Sequence, residues 1–262
     1  MKTNYHTHTA RCMHATGTDE EYALSAIKGG YELLGFSDHT PWKYRTSYVA
    51  DMRMLPDELP EYVESLRTLR EKYKDRIQIK IGLECEYFPE YMYWLKEQIK
   101  KYQLDYIIFG NHHYHTDEKF PYFGHHTDNR DMLDLYEESA IEGMETGLYS
   151  CLAHPDLFMR SYPEWDRHCT LAARHICRAA ARLNIPLEYN IAFVAYNEAH
   201  GTSSYPCPEF WHIAANEGCT AIIGVDAHNN KDLETPVYYD RAVKELDALK
   251  IKRTTQLKML NK

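Results

Sequence analysis

Seven short apolar segments alternate with helical segments along the whole chain of 262 residues. Each apolar segment has the length and residue types of a buried strand, and each is followed by a segment whose apolar residues have helical spacing. Strands joined through helices lie parallel, because every helix returns the chain to the starting edge of the sheet, and this many units close into a barrel. The sequence therefore predicts one α/β domain over residues 1–262, with parallel strands inside and helices outside.

Turn and capping residues set the predicted boundaries. Gly29 and Gly30 end the first helix, and a later helix has a cap near Asn129 and an end at Gly147. The predicted strands cover residues 2–8, 33–37, 77–83, 104–109, 149–153, 185–191 and 220–225. The predicted helices cover residues 19–30, 56–73, 91–102, 129–146, 164–183, 208–217 and 239–249.

A histidine or an acidic residue follows six of the seven predicted strands at the same end. In a barrel of parallel strands these ends meet at one rim, so we expect the side chains to converge there. Imidazole nitrogens and carboxylate oxygens are the ligands that borderline divalent metals prefer. The pattern predicts a polynuclear metal site and indicates a hydrolase. The residues concerned are His6, His8, His39, Glu84, His112, His154, Asp226 and His228.

Two of these strand ends offer more than one candidate residue. Glu84 and Glu86 flank Cys85 and point the same way. A carboxylate suits a bridge between two metals, so we interpret Glu84 as the bridge and Glu86 as an outer residue or a salt-bridge partner. After the fourth strand, at most one or two of the adjacent histidines can face the site. His112 follows the strand most directly, and His113 stays an alternative ligand.

Charge and cysteine usage exclude several classes of protein. The formal net charge of -9 is unlike the basic surfaces that bind nucleic acids or anionic membranes, so the expected partner is a small molecule. The seven cysteines are scattered and form no C-x-x-C pair, which predicts buried, reduced thiols rather than disulfides or a thiolate zinc site. No signal peptide or membrane-spanning segment is recognisable, so the predicted location is the cytoplasm. The sequence indicates no oligomeric state.

An ordered set of short motifs extends over nearly the whole chain. The motifs are His6-Thr7-His8-Thr9, Cys12-x-His14-Ala15, Gly35-Phe36-Ser37-Asp38-His39-x-Pro41, Gly82-Leu83-Glu84, Ala153-His154-Pro155-Asp156 and Asp226-Ala227-His228. Together they resemble the PHP (polymerase and histidinol phosphatase) superfamily, specifically its histidinol-phosphate phosphatases. The resemblance implies a distorted (β/α)7 TIM-like barrel and three divalent metal ions, which are commonly zinc, manganese or iron.

Position by position, the resemblance implies three sets of metal ligands. The sets are His6, His8, Glu84 and Asp226 for the first ion, Glu84, His112 and His154 for the second, and His14, His39 and His228 for the third. An aromatic residue usually follows the family's fourth-strand ligand, and His113 takes that place here, which favours His112. Glu84, Asp226 and His228 are the implied catalytic residues, around a hydroxide that bridges two metals and attacks phosphorus in line.

The resemblance also implies a substrate, L-histidinol phosphate, and a place in histidine biosynthesis. Arg160 stands where the family has a phosphate-binding residue, and Arg11 is a second candidate for phosphate binding. The family usually has a basic residue in the loop after the sixth strand, but this chain has no Lys or Arg from Glu188 to Asn230. His200 or Lys231 could take the place of that residue. Two alternatives stay open: a phosphoesterase acting on another small phosphate ester or a nucleotide, and a non-catalytic metal-binding domain.

Overall fold

Parallel strands form one sheet that curls into a barrel. The computed structural model describes residues 1–260, and within them eight strands lie in the order β1 to β8, each hydrogen-bonded to the next. The strands are β1 (Thr3–Asn4), β2 (Leu33–His39), β3 (Gln78–Cys85), β4 (Tyr106–Gly110), β5 (Leu152–Ala153), β6 (Leu187–Asn190), β7 (Thr220–Gly224) and β8 (Lys252–Arg253). The segment after β1 meets the segment after β7, because the N–H of His8 donates to the carbonyl of Ala227 at 3.0 Å. The predicted parallel α/β barrel is confirmed.

Helices follow the strands and pack their apolar sides against the sheet. The α-helices of residues 1–260 are α1 (Asp19–Lys28), α2 (Leu59–Lys72), α3 (Met92–Tyr102), α4 (Phe123–His126), α5 (Arg130–Glu145), α6 (Arg167–Leu183), α7 (Ala192–His200), α8 (Pro208–Asn216) and α9 (Val237–Ala248). The longest helix, α6, begins where the side chain of Asp166 accepts hydrogen bonds from two backbone N–H groups. Its buried Cys169, Ala173, Ile176 and Ala180 follow helical spacing and join the main core.

Several elements differ from the sequence prediction, and β5 begins at Leu152 rather than at residue 149. β1 ends at Asn4, because the side-chain amide of Asn4 donates to the carbonyl of His6 at 2.9 Å and to the hydroxyl of Thr7 at 2.7 Å, which bends the chain. The sequence predicts none of α4, α7 and β8. The two residues of β8 are exposed and carry no apolar pattern. In α7 only Val194 is buried, so this helix has no apolar stripe that a sequence pattern could reveal.

Tyr106 of β4 fills the interior of the barrel below the rim. It is fully buried, and its hydroxyl lies 2.7 Å from the carbonyl oxygen of Tyr5 and 3.0 Å from that of Phe36. Glycines on β2 and β3 make room for the ring, since a Cβ at Gly35 would lie 2.3 Å from the hydroxyl and one at Gly82 would lie 2.7 Å from the ring. The Tyr106 ring therefore fills the space between β2, β3 and the segment that contains Tyr5.

All seven cysteines are buried and free, as the sequence predicts. Among residues 1–260, none of the helices combines the length and the apolar character needed to cross a membrane.

Candidate metal centre

Glu84, near the end of β3, lies at the centre of the rim where the strands end. Its Oε1 atom is 3.0 Å from Nε2 of His154 and 3.3 Å from Nε2 of His112. Its Oε2 atom is 3.5 Å from Nε2 of His6 and 3.6 Å from Nε2 of His8. All five side chains are at most 5% exposed. One carboxylate therefore faces two separate groups of imidazoles, one group on each oxygen.

Asp226 adds a second carboxylate from the segment after β7. Its Oδ1 atom is 3.1 Å from Nε2 of His8 and 3.3 Å from Nε2 of His6, while its Oδ2 accepts a hydrogen bond from Asn190 at 2.9 Å. The backbone of Asp226 has φ of 51° and that of His154 has φ of 29°. Such positive φ values cost non-glycine residues roughly 1–3 kcal/mol and cluster at functional sites. The surrounding structure holds both side chains towards the rim despite this cost.

Three further histidines lie on the more open side of the rim. His228 and exposed His14 face each other, with their Nε2 atoms 3.0 Å apart. Nδ1 of His39 lies 3.0 Å from Oε2 of Glu84. The ligand nitrogens of His8, His39 and His228 are all within 4.8 Å of one another. This third group adjoins the residues around Glu84, so the rim carries a continuous cluster of metal-ligating atoms.

Several polar atoms of the cluster are buried and have no hydrogen-bond partner. Within residues 1–260 this holds for Nδ1 of His8, His39 and His154 and for Oδ1 of Asp226. Each unpaired buried polar group costs about 1–3 kcal/mol, and a cation bound in the cluster would offset this cost. Buried imidazoles and carboxylates at these separations fit divalent metal ions such as zinc, manganese or iron.

The electrostatic environment keeps the two carboxylates ionised. Burial raises the pKa of Glu84, but the charges of His112 and His6 outweigh it and hold that pKa well below its ordinary range. Burial acts on Asp226 in the same way, and the neighbouring His6 and His8 lower its pKa well below the ordinary value. Both residues therefore present anionic oxygens, which is the form that binds cations.

Comparison with known proteins agrees with this geometry. Residues 4–192 match the family model described as PHP domain. The chain belongs to the PHP domain family. A probable histidinol-phosphatase of Deinococcus radiodurans is 30% identical over 249 residues, which is 92% of this chain and 91% of that protein. A histidinol-phosphatase of Bacillus subtilis is 28% identical over 126 residues, covering 46% of this chain and 47% of that protein.

Solved structures show the same PHP fold. The structure of histidinol phosphate phosphatase from Lactococcus lactis, complexed with zinc, L-histidinol and phosphate, has a TM-score of 0.75 and 20% sequence identity, and the match covers 98% of each chain. A putative histidinol phosphatase from Listeria monocytogenes has a TM-score of 0.70 and 18% identity, covering 88% of this chain and 97% of that chain. At these identities the likeness establishes the fold of the chain.

Glu188 is a residue of this PHP domain that the sequence analysis misses. Its Oε1 atom is 2.8 Å from Nδ1 of His6, and its Oε2 accepts a hydrogen bond from the backbone N–H of His154 at 3.1 Å. A Cβ on Gly224 of the neighbouring strand would lie 1.8 Å from Oε1, so only glycine leaves room for this carboxylate. An acidic residue between Leu187 and Tyr189 of the buried strand β6 is the sequence feature that could have indicated it. Glu188 orients two rim residues that follow separate strands, His6 after β1 and His154 after β5.

Asp38, near the end of β2, is a residue of the PHP site to which the sequence analysis assigns no role. Its Oδ2 accepts hydrogen bonds from the backbone N–H and the hydroxyl of Thr9, and its Oδ1 is 3.6 Å from Nδ1 of His8. The sequence motif contains this aspartate, yet an aspartate before a proline-containing turn is equally typical of a turn or cap. In the structure Asp38 fixes the backbone beside His8 and faces the ring of that histidine.

The structure separates the remaining candidates. His112 contacts Glu84, whereas Nδ1 of His113 bonds to the carbonyl of Phe120 at 2.9 Å, away from the carboxylates. Arg11 does not stand ready for phosphate, because its guanidinium forms bonds of 2.8 Å to both oxygens of Asp19 and also pairs with Glu61. The prediction that Arg11 binds phosphate is therefore corrected: the nearby acids occupy the donors of its guanidinium.

Arg160 has a different environment from Arg11. It is exposed and forms no ion pair with any residue from 1 to 260. Its guanidinium carbon lies 5.0 Å from the ring centre of Phe193 and 6.0 Å from that of Tyr122. The Tyr122 ring is in turn 5.8 Å from the ring of His112. Aromatic rings therefore position an uncommitted guanidinium beside the metal centre.

Proposed function

We propose that this protein is a metal-dependent phosphomonoesterase that hydrolyses L-histidinol phosphate to L-histidinol and phosphate in histidine biosynthesis. The proposal depends on Glu84, whose two oxygens face separate groups of buried imidazoles and so form a bridge for a polynuclear centre. The relatives support the choice of substrate. The Deinococcus protein that matches nearly the whole chain is named a probable histidinol-phosphatase, and the Lactococcus structure contains L-histidinol and phosphate.

We infer three divalent ions at the rim, of zinc, manganese or iron. Their ligands would be His6, His8, Glu84 and Asp226 for the first, Glu84, His112 and His154 for the second, and His14, His39 and His228 for the third. Such ions, when bound, lower the pKa of a coordinated water and neutralise charge on phosphoryl oxygens. The rim residues contribute fixed positions, since Glu188 and Glu86 hold the outward nitrogens of His6 and His112 at 2.8 Å and 3.0 Å.

Asp226 and His228 are the residues best placed to move a proton during hydrolysis. Oδ1 of Asp226 has no hydrogen-bond partner within residues 1–260 and lies 3.5 Å from Nδ1 of His228. The Asp226 side chain is 11% exposed and that of His228 is 32% exposed. Asp226 is the buried end and His228 the exposed end of a pair that leads from the cluster to solvent, and we propose this direction for the release of the proton.

Replacing Arg160 by Ala is expected to weaken substrate binding while leaving the bound metal unchanged. A hydrogen bond to a charged group is worth about 1.5–3 kcal/mol, so KM for histidinol phosphate should rise about ten- to a hundredfold. Steady-state kinetics and elemental analysis of the same preparation measure both quantities. Arg130→Ala, which removes an exposed arginine paired with Asp134 on α5, is the control. A KM for Arg160→Ala equal to that of the control would exclude Arg160 from phosphate binding.

A different phosphate ester is the second candidate substrate, and one observation favours it. The chain has no Lys or Arg from Glu188 to Asn230, and α7 brings the ring of Phe193 next to Arg160, with the ring of Tyr196 beside that of Phe193. Aromatic rings contribute packing to the leaving group rather than charge to the phosphate. This feature leaves the phosphatase reaction unchanged and concerns only the choice of ester.

A panel of phosphate monoesters separates the two candidates. With zinc, manganese or iron supplied, we expect kcat/KM for L-histidinol phosphate to exceed that for an aryl phosphate and for nucleotide monophosphates by at least about tenfold. Equal turnover of histidinol phosphate and the aryl phosphate would reject the proposed substrate but keep the reaction class. No turnover of any ester by metal-loaded protein would support a non-catalytic metal-binding domain.

A further inference from the structure

Arg53 is a buried arginine in the segment between β2 and α2, and it is outside all the motifs that define the site. Its side chain is 2% exposed. Nη1 donates to Oε2 of Glu86 at 3.0 Å and Nη2 donates to Oε1 at 3.1 Å, which makes the pair bidentate. Nη1 also donates to the carbonyl of Thr40 at 3.0 Å, and Nη2 to Oδ2 of Asp117 at 2.9 Å. Burying a charge is costly, and these four bonds offset the lost hydration of the two terminal nitrogens, while Nε has no partner within residues 1–260.

Glu86 connects this arginine to the metal centre. Its Oε1 atom is 3.0 Å from Nδ1 of His112, and its Oε2 also accepts a hydrogen bond from the indole N–H of Trp42 at 2.7 Å. A proton on Nδ1 of His112 that is shared with a carboxylate leaves the Nε2 lone pair free on the other side of the ring. That Nε2 atom lies 3.3 Å from both Oε1 of Glu84 and Nε2 of His154.

Asp117 gives the arginine a second attachment beyond His112. The segment that carries His112 continues to Asp117, and the Asp117 carboxylate is held by Arg53 and by the hydroxyl of Tyr44 at 2.7 Å. Arg53 therefore fixes the chain on both sides of the ligand, through Glu86 at the ring and through Asp117 at the backbone segment that follows. The arginine thus joins three segments that are far apart in sequence, those containing Thr40, Glu86 and Asp117.

We propose that Arg53 is a positioning residue for the second metal ion: by clamping Glu86 and Asp117 it fixes the ring orientation and the Nδ1-protonated form of His112. This inference rests on the metal centre of the proposed function. Under this proposal, a buried arginine that is distant from the reacting atoms controls how tightly one of the three ions is bound. A purely structural ion pair would stabilise the fold without changing the affinity for metal.

The first test compares Arg53→Ala with Arg53→Lys and with a matched arginine. Loss of an outer partner of a ligating histidine weakens metal binding by about 10- to 100-fold. In chelator competition we therefore expect Arg53→Ala to bind one ion per chain about 10- to 100-fold more weakly than the wild-type protein does. Lysine keeps the charge but cannot reach both oxygens of Glu86 and Asp117 together, so Arg53→Lys should be intermediate. Methylguanidinium added to Arg53→Ala should restore part of the affinity.

Arg70→Ala is the matched control. Arg70 pairs with Asp105 and donates to the carbonyl of Ile79 at 3.0 Å, at the start of β3 and far from the ligand end of that strand. Its removal should lower the unfolding midpoint and leave all metal affinities unchanged. Should Arg53→Ala fail to fold, Arg53→Lys decides the question. Wild-type metal affinities in every folded Arg53 variant would overturn the proposal.

A double substitution tests whether Arg53 acts through His112. In a His112→Ala background the second ion has already lost that ligand, so adding Arg53→Ala should change the remaining metal affinities by less than about twofold. A further 10-fold loss in that background would contradict action through His112. A wild-type protein that binds no divalent metal would instead defeat the proposed function, so the two failures are distinguishable.

Discussion

Glu84→Gln is expected to abolish the phosphatase activity and to remove at least one metal ion from each chain. The two oxygens of Glu84 face different imidazole groups, at 3.0 Å from His154 on one side and 3.5 Å from His6 on the other. An amide replaces one anionic oxygen by an NH2 group that repels cations, so the two halves of the centre lose their common ligand. We expect kcat/KM to fall by more than about a thousandfold, which corresponds to more than about 4 kcal/mol.

Glu137→Gln provides the matched control for this substitution. Glu137 also contacts a histidine, His175 at 2.7 Å, but on the surface between α5 and α6. Its activity and metal content should stay at wild-type values. Kinetics and elemental analysis of both variants give the answer, and a Glu84→Gln protein that keeps full activity or its full metal content would rule out Glu84 as the bridge.

Tyr106→Ala is expected to cause the largest loss of stability. The ring fills the barrel interior and is fully buried, so alanine leaves a cavity that the glycines at positions 35 and 82 cannot fill. Loss of a large buried aromatic side chain costs about 3–5 kcal/mol. The carbonyls of Tyr5 and Phe36 also lose the nearby hydroxyl. Denaturant unfolding of the metal-free protein measures the change in the free energy of unfolding.

Two further variants show which part of the Tyr106 side chain matters. Tyr106→Phe keeps the ring and removes only the hydroxyl, so its cost should be about 1 kcal/mol. Tyr93→Ala changes a tyrosine that is 77% exposed on α3 and should leave the free energy of unfolding nearly unchanged. If Tyr106→Ala were as stable as Tyr93→Ala, the ring would have no role in filling the interior of the barrel.

The sequence predicts most of the fold and most of the rim residues, because both depend on the order of strands and helices along the chain. A strand followed by a helix determines the direction of the next strand. Residues at strand ends, such as Glu84 and His154, are therefore placed together without knowledge of any contact. The helix that begins after Asp166 is likewise determined by its own cap and by its apolar stripe.

The misses have the opposite origin, because they depend on contacts between distant parts of the chain. Arg11 resembles a free phosphate ligand until Glu61, fifty positions later, is brought beside it. Glu188 and His6 are separated by 182 positions, and the contact exists only because the barrel closes. Arg53 belongs to no regular element, and its role depends on where Glu86 and Asp117 meet. Side-chain partners of this kind are set by tertiary structure.

Anomalous X-ray scattering from crystals of the metal-loaded protein tests the central claim most directly, because it locates each ion independently of activity. We expect three divalent ions at the rim, with one bound to each oxygen of Glu84 and the third between His14, His39 and His228. A structure in which the Glu84 carboxylate contacts no ion, although the protein hydrolyses histidinol phosphate, would contradict the assignment of this cluster as the catalytic metal centre.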